Sequence, residues 1–594
     1  MKIKPDPGNV RTTTAAHVLK LLREQHKKKP LSLPSMRTLF IGCVLLFIST
    51  ALFAQKNTNA TQAVVTYKFR SNGKDQDGEL KLFIKDKQAR LTRNGAQTEQ
   101  QFLQFDEAAS YQVLNSKGTQ YTFKKPFSEY ASAELLPGID TICGIPCKKA
   151  KLFIRSNTIE IWYNTDLKIK GSPAITIAPG LGLVLKTIRN GNSETVARNI
   201  SYRKIKTQEL QWPAQWGITL DEPAYQRQVI ESRYMTLQIF NDEQINFGRK
   251  TDNPTVEQAN TTYHFAGGTV IMKKVKLPSA LPGQHLFAEL VQHSNGDAYD
   301  RTGSVFMIPV SREVSFLKAL QSGLQVLPVY NARNGKKYQG IIATDQYLPP
   351  LELMRFFTSF GVGHFNAQAK IKGYNWADSV VYKQDITTLL PSLQGEVWIG
   401  VFIGNYDKGG HKASLNFKYY PGDDGEDKKS DKKWMMPIFN TTNLMEMAGQ
   451  EYGTLFDKDS LTVAVEVPKG VKNLKLRYLA TGHGGWENGD EFVPKQNEIF
   501  TDGIRAYHFI PWREDCATYR MLNPASGNFG NGLSSSDLSR SNWCPGTLTL
   551  PVEIPLPDLK PGKHLIQVAI PLGKPEGGSF SAWNVSGVLI GDQE

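Results

Sequence analysis

The densest chemistry in this sequence lies in Thr481-Gly-His-Gly-Gly-Trp-Glu-Asn-Gly-Asp-Glu-Phe-Val-Pro494, directly after the predicted strand Leu474-Lys-Leu-Arg-Tyr-Leu479. Glycines and acids around a single indole make a loop whose backbone approaches a ligand closely. Gly482, His483, Gly484, Trp486 and Asp490 are therefore candidate ligand contacts. Downstream stand Phe509-Ile-Pro-Trp-Arg-Glu-Asp-Cys516, Asn523-Pro-Ala-Ser-Gly-Asn528, Asp537-Leu-Ser-Arg-Ser-Asn-Trp-Cys-Pro-Gly546 and Ser581-Ala-Trp-Asn-Val-Ser-Gly587. Trp beside Gly, Asn and Asp on loops is a composition used to bind sugars, where rings stack on pyranose faces. It equally serves turns around buried indoles. Elsewhere Asp297-Ala-Tyr-Asp-Arg301 precedes the strand-like Ser304-Val-Phe-Met-Ile308. By itself an Asp-Arg pair is a solvated ion pair.

The elements that must carry these loops read as strands. The 594 residues include 50 Gly, 32 Pro, 29 Phe and 22 Tyr, which favours β architecture and excludes a disordered or collagen-like chain. From Ala63 to about Ile205, runs such as Val64-Val-Thr-Tyr-Lys-Phe69 and Glu79-Leu-Lys-Leu-Phe-Ile84 alternate between turn signals Asn72-Gly73 and Asn190-Gly191. Residues 208–233, with Trp212-Pro213 and Glu222-Pro223, read as a linker. Further β-rich stretches run over 234–422 and 434–594, separated by the polar run 423–433, a solvated linker. Short strands at this spacing read as sandwiches.

Ahead of them, residues 1–54 form a leader. Arg37 and Lys27 to Lys29 precede the apolar Leu39–Ala54, which ends in small residues, as a secretory signal does. The leader holds nine basic and two acidic residues, so it carries half of the formal net charge of +14. Once it is removed, little of that charge is left to suggest a nucleic-acid partner. Export to the periplasm, cell surface or medium places Cys143, Cys147, Cys516 and Cys544 in an oxidising compartment, where pairs 143–147 and 516–544 are expected. The histidines include no His-x-His and no His-His, so no metal or cofactor is expected.

Two resemblances add to this reading. Ala178-Pro-Gly-Leu-Gly-Leu-Val-Leu-Lys186, with Gly144-Ile-Pro-Cys-Lys-Lys-Ala150 and Ile161-Trp-Tyr-Asn-Thr165, resembles the GLPGLI family of exported bacterial β-proteins, and 55–207 is read as that domain. The resemblance implies no chemistry beyond a turn between strands. The segments from about Thr236 to Gly591 resemble the peptide-N-glycosidase F family, secreted amidases that remove N-linked glycans from asparagine. That resemblance implies an all-β fold of two antiparallel jelly-roll sandwiches side by side, preceded here by a separate β-rich domain, with the site between the two sandwiches. It implies Asp300 as the main catalytic carboxylate and Arg301 as its substrate-contacting neighbour. Glu491 matches the second acid, and Arg540 the Arg that supports this acid and the first sugar.

The chemistry explains these residue types. Amide hydrolysis needs an activated water, stabilisation of the oxyanion and protonation of the leaving glycosylamine. The partner implied is an N-linked glycoprotein or glycopeptide, and a monomer is expected. The sequence also departs from the family. In Val401-Phe-Ile-Gly-Asn-Tyr-Asp-Lys-Gly409, Gly404 takes the place of a third active-site Glu, and Tyr406 replaces a neighbouring Trp. Either Asp407 or Asn405 takes over that role, or the enzyme works differently, or turnover is weakened, leaving a glycan-binding relative as the alternative function.

Overall fold

The structure is a computed structural model. It describes residues 59–593 apart from 94–98, 254–256, 282, 423–431, 457–458, 485–488 and 575–578. The leader, most of the 423–433 linker and Trp486 thus lie outside the described residues. The described chain forms two compact units, one ending at Val229 and one beginning at Ile230.

The N-terminal unit is a twelve-stranded sheet made of two meanders. Six strands from Gln62–Ser71 to Thr119–Pro126 run to one side, and five from Ser193–Ser201 back to Glu134–Ile142 run to the other. The two meet where Gln62–Ser71 pairs antiparallel with Ser193–Ser201. The segment after Asn164 folds onto one face, burying Leu167, Ile169 and Ile175 with Tyr67, Leu82 and Leu91. The glycine-proline motif makes this fold-back possible. Gly182 has φ +131°, and a side chain there would strike the Asn164 carbonyl.

Residues 208–233 are not the linker expected from their prolines. Trp216 stacks on Tyr111 at 4.3 Å between centroids, and Trp212 meets Phe102 edge-on. Ile218–Thr219 then pairs parallel with Thr119–Pro126, and the helix Glu222–Ser232 buries Tyr225 and Val229 against Leu114 and Phe123. Pro223 does not prevent the helix because it lies in the first turn, where its missing N–H had no helical partner. Asp221 starts the helix by accepting the Ala224 N–H at 2.8 Å.

The C-terminal unit consists of two jelly-roll sandwiches. In the first, a sheet of Met235–Ile245, His411–Tyr420, His285–Ser294 and Val380–Asp385 faces a six-stranded sheet around Gly395–Ile403 and Thr302–Ile308. Leu286, Leu290, Leu415 and Phe417 form one core with Ile271, Val305 and Ile399. In the second, Lys433–Asn440, Ala582–Gln593, Val471–His483 and Val552–Pro555 face Leu461–Val467, Gly562–Ala569, Asn497–Thr501 and Ile504–Phe509. His411–Tyr420 alternates buried with partly buried positions and Leu461–Val467 buried with more exposed ones, as half-buried strands should. Leu351–Phe357 is buried throughout. It also pairs, through Arg355 and Phe356, with Leu548–Thr549 from the second half of the unit.

Cys516 and Cys544 form a disulfide 28 residues apart in sequence. The expected 143–147 bond is absent. Cys143, at the turn of the Glu134–Ile142 and Ile145–Ile154 hairpin, donates its thiol to the Ala197 carbonyl, while Cys147 is buried beside the Ile145 carbonyl. Cys516→Ser with Cys544→Ser is expected to cost the C-terminal unit about 3–4 kcal/mol through loop entropy. Denaturant titration of the purified variant checks this.

Candidate active site

Asp300 sits at the end of a tightly held loop. After the strand His285–Ser294, Ser294 Oγ donates to the Asp297 carbonyl and Thr358 Oγ1 to the Tyr299 carbonyl. The Arg301 N–H donates to Thr358 Oγ1 at 2.7 Å. Under this loop lies buried Asp297, which accepts Arg301 Nε at 2.7 Å and Arg301 Nη2 at 3.3 Å. His411, fully buried, stands 3.5 Å away on its other side. Burial alone would raise the Asp297 pKa, but His411 and Arg301 outweigh it and hold the carboxyl down to about 2. Gln292 Nε2 donates to His411 Nδ1 at 2.9 Å, leaving the imidazole Nε2 proton to face Asp297. Arg301 is thereby fixed, with its guanidinium over the rings of Tyr299 and Tyr406.

From the other sandwich comes Arg540, whose side chain is only 1% exposed and whose backbone pairs with Arg513. Its Nη2 donates to Asp300 Oδ2 at 3.2 Å and its Nε to Glu491 Oε1 at 3.1 Å. Ser535 anchors the same guanidinium through its carbonyl, at 2.6 Å, and through its hydroxyl. Trp543 and Phe492 place their rings 4.6 and 5.0 Å from it. Asp300 and Glu491, 191 positions apart, therefore meet on one cation. The Asp300 pKa is pushed up to about 7, first by burial and then by the Glu491 charge, against the pull of Arg540.

Asp300, Arg301 and Glu491 open on a cavity of about 440 Å³, also lined by Gly404, Tyr406, His483 and Gly484, with Arg540 behind them. His483 stacks beside Phe357 and Trp543, and its Nε2 lies 2.8 Å from Thr481 Oγ1. Burial, followed by the charges of Arg355 and Arg540, lowers its pKa to about 3, so it faces the cavity as a neutral ring. Two expected contacts lie elsewhere. Asp490 is fully buried, and its carboxylate accepts the Trp583 indole N–H and the Gly573 N–H, both at 2.8 Å. Gly482 is packed between Asp490, Ser541 and Trp583, with no room for a ligand or a Cβ. Both build the loop from behind.

Neither proposed substitute for the third Glu reaches the cavity. Asp407 Oδ1 accepts the Gly409 and Gly410 N–H groups, and Asn405 is buried against the Ile403 carbonyl. A carboxylate comes from across the cleft instead. Glu446 lines the cavity, and a Cβ built on Gly404 would stand 3.2 Å from its Oε2. The hydroxyls of Tyr406 and Tyr452 both donate to Glu446 Oε1. Sequence reading missed Glu446, Tyr452 and the supporting Asp297–His411 pair. Glu446 follows Asn440-Thr-Thr-Asn-Leu-Met445, a polar segment without a motif, and only its position opposite a glycine marks it.

Two β-sandwiches whose shared cleft gathers carboxylates on a buried arginine define an N-glycanase-like protein. The chain belongs to the peptide-N-glycosidase F family. Residues 236–419 match the model "Peptide-N-glycosidase F, N terminal" and 451–590 match "Peptide-N-glycosidase F, C terminal". Residues 65–227, which include the GLPGLI-like motif, match "N-glycanase peptide, N-terminal domain". Two solved structures of PNGF-II are 44% identical to the chain, with TM-scores of 0.79 and 0.78. They cover 90% of it and 99% and 100% of their own lengths. A structure of PNGase F, described as a glycosylasparaginase from Flavobacterium meningosepticum, is 14% identical, with a TM-score of 0.41, over 61% of this chain and 96% of that one. No curated protein sequence matches the chain. No helix among the described residues is long and apolar enough to cross a membrane.

Proposed function

We propose that the protein is an exported amidase that hydrolyses the bond between asparagine and N-acetylglucosamine in N-linked glycoproteins, giving aspartate on the peptide and a free glycosylamine. The observation that carries this reading is the bridge from Arg540 to both Asp300 and Glu491 inside the cleft. Asp300 takes a proton from the attacking water. Arg301, in the cavity wall, offers charge to the oxygen that becomes an oxyanion, Arg540 holds both carboxylates from behind, and Glu491 contacts the first sugar and assists the leaving amine. Membership of the family supports the substrate class. The test is incubation of a denatured N-glycoprotein with the purified protein. Release of intact glycan with Asn converted to Asp is expected.

Gly404 favours a second reading, a glycan-binding relative with weak or no turnover. No release, with retention on an immobilised glycopeptide, would establish it. On the amidase reading Glu446 supplies the missing carboxylate. Glu446→Gln is then expected to slow release at least about tenfold, within the range of one positioned acid or base, without changing the unfolding midpoint.

The pH profile gives an independent check. A base must be ionised to accept a proton, and burial raises the Asp300 pKa to about 7. The rate is therefore expected to fall as pH drops below about 7, well above the ordinary carboxylate range. An acid limb near pH 4 would remove Asp300 from the role of base.

A further inference from the structure

A separate cavity of about 460 Å³ lies in the N-terminal unit, lined in part by Arg93, Gln101, Gln112 and Arg189. Its position follows from how one sheet face is covered. Leu82, Leu91, Gln101, Gln112 and Phe123 form one cross-strand row, each directly opposite the next. The leucine end is roofed by the segment containing Ile175 and the phenylalanine end by the helix Glu222–Ser232, through Tyr225 and Val229. Between these two roofs the row turns to glutamine, where the face is open. Arg93 reaches this gap from the strand Gln88–Arg93 and Arg189 from the distant strand Leu183–Arg189.

These side chains converge without satisfying one another. Neither arginine has a carboxylate partner among the described residues, and Arg93 makes only a cation–π contact, 5.7 Å from the Phe69 ring centroid. The Gln101 and Gln112 amides likewise have no side-chain hydrogen bond among the described residues. The carboxylate in the lining, Glu99, accepts the Tyr225 hydroxyl at 3.0 Å. Two guanidinium groups present paired donors for a carboxylate. Two amides, each donor and acceptor, match hydroxyls. Leu91 and Ile175 add an apolar wall for the C–H face of a ring.

We propose that this cavity binds an acidic sugar, a hydroxyl-rich ring bearing one carboxylate. The site is independent of the amidase reading, and its test reads binding. The full chain is titrated calorimetrically with galacturonic acid, galactose, acetate and inorganic phosphate. Galacturonic acid is expected to bind at least about tenfold more tightly than galactose or acetate, because only it offers both carboxylate and hydroxyls. Arg93→Gln and Arg189→Gln, each on an exposed side chain, should each weaken that binding at least about tenfold with an unchanged unfolding midpoint and unchanged glycopeptide release. Equal binding of acetate or phosphate would reduce the site to a plain anion trap and overturn the proposal. So would galacturonic acid binding that neither variant weakens, or equal binding of galactose.

Discussion

Asp300→Asn is expected to fold normally and to lose glycan release by at least about 10²- to 10⁴-fold, the contribution of a positioned base. The substitution keeps the size and shape of the side chain. Asn Oδ1 still accepts from Arg540, so the cleft geometry is retained, while the group can no longer take a proton from water. Stability should move the opposite way as pH rises. A carboxyl whose folded pKa is raised adds stability that is fully present below its unfolded pKa near 4 and is lost as pH rises through about 7. The wild type should therefore lose a component of stability across that window that the variant lacks. Thermal unfolding of both proteins between about pH 4 and 8, run beside the release assay, measures it. Unchanged release by Asp300→Asn would discard the site.

Arg355→Met is expected to destabilise the C-terminal unit by about 3–5 kcal/mol, because it strands a buried carboxylate. Arg355 is 0% exposed and pairs with Glu352, its neighbour on the fully buried strand Leu351–Phe357. Its guanidinium also donates to Thr442 Oγ1, Thr481 Oγ1 and the Asn584 carbonyl, all from the second sandwich. Glu352 accepts Ser304 Oγ from the first sandwich at 2.9 Å and Ser586 Oγ from the second at 2.5 Å. One ion pair thus ties the two sandwiches together behind the cleft, and through Thr481 it reaches His483. Glycan release should fall along with stability. Replacing both partners, Glu352→Leu with Arg355→Met, should recover most of the loss, since a matched apolar pair leaves no uncompensated charge. Urea unfolding midpoints of the single and double variants decide this; equal destabilisation in the double would place the loss in packing.

Strand periodicity was legible wherever one face meets a core and the other meets water, as in Leu461–Val467. It gave no alternation for Leu351–Phe357, whose second face is covered by the other half of the unit, a partner remote in sequence. Residues 208–233 misled for a similar reason. Their prolines read as breaks, and nothing local reveals that Trp212 and Trp216 find Phe102 and Tyr111 a hundred residues earlier. Spacing also misjudged Cys143 and Cys147, since four residues of separation say nothing of where a hairpin turn points each thiol.

At the site, the loop after Leu474–Leu479 and the Asp297–Arg301 segment could be singled out from composition and resemblance. Which of their acids face ligand could not. Asp490 and Glu491 are adjacent, yet one is buried on Trp583 and the other meets Arg540.

The sequence alone determined the β class, the turns and the residue types available for chemistry, because these depend on local backbone preference and on a side-chain period of two. Tertiary structure alone decided the direction of each side chain and the company it keeps. It put Glu446 opposite Gly404, turned Asp407 onto the amides of its own loop, and set two carboxylates from separate sandwiches on one guanidinium. The physical reason is that charge interactions depend on distance and burial in space, and residues far apart along the chain acquire both only when the sandwiches pack.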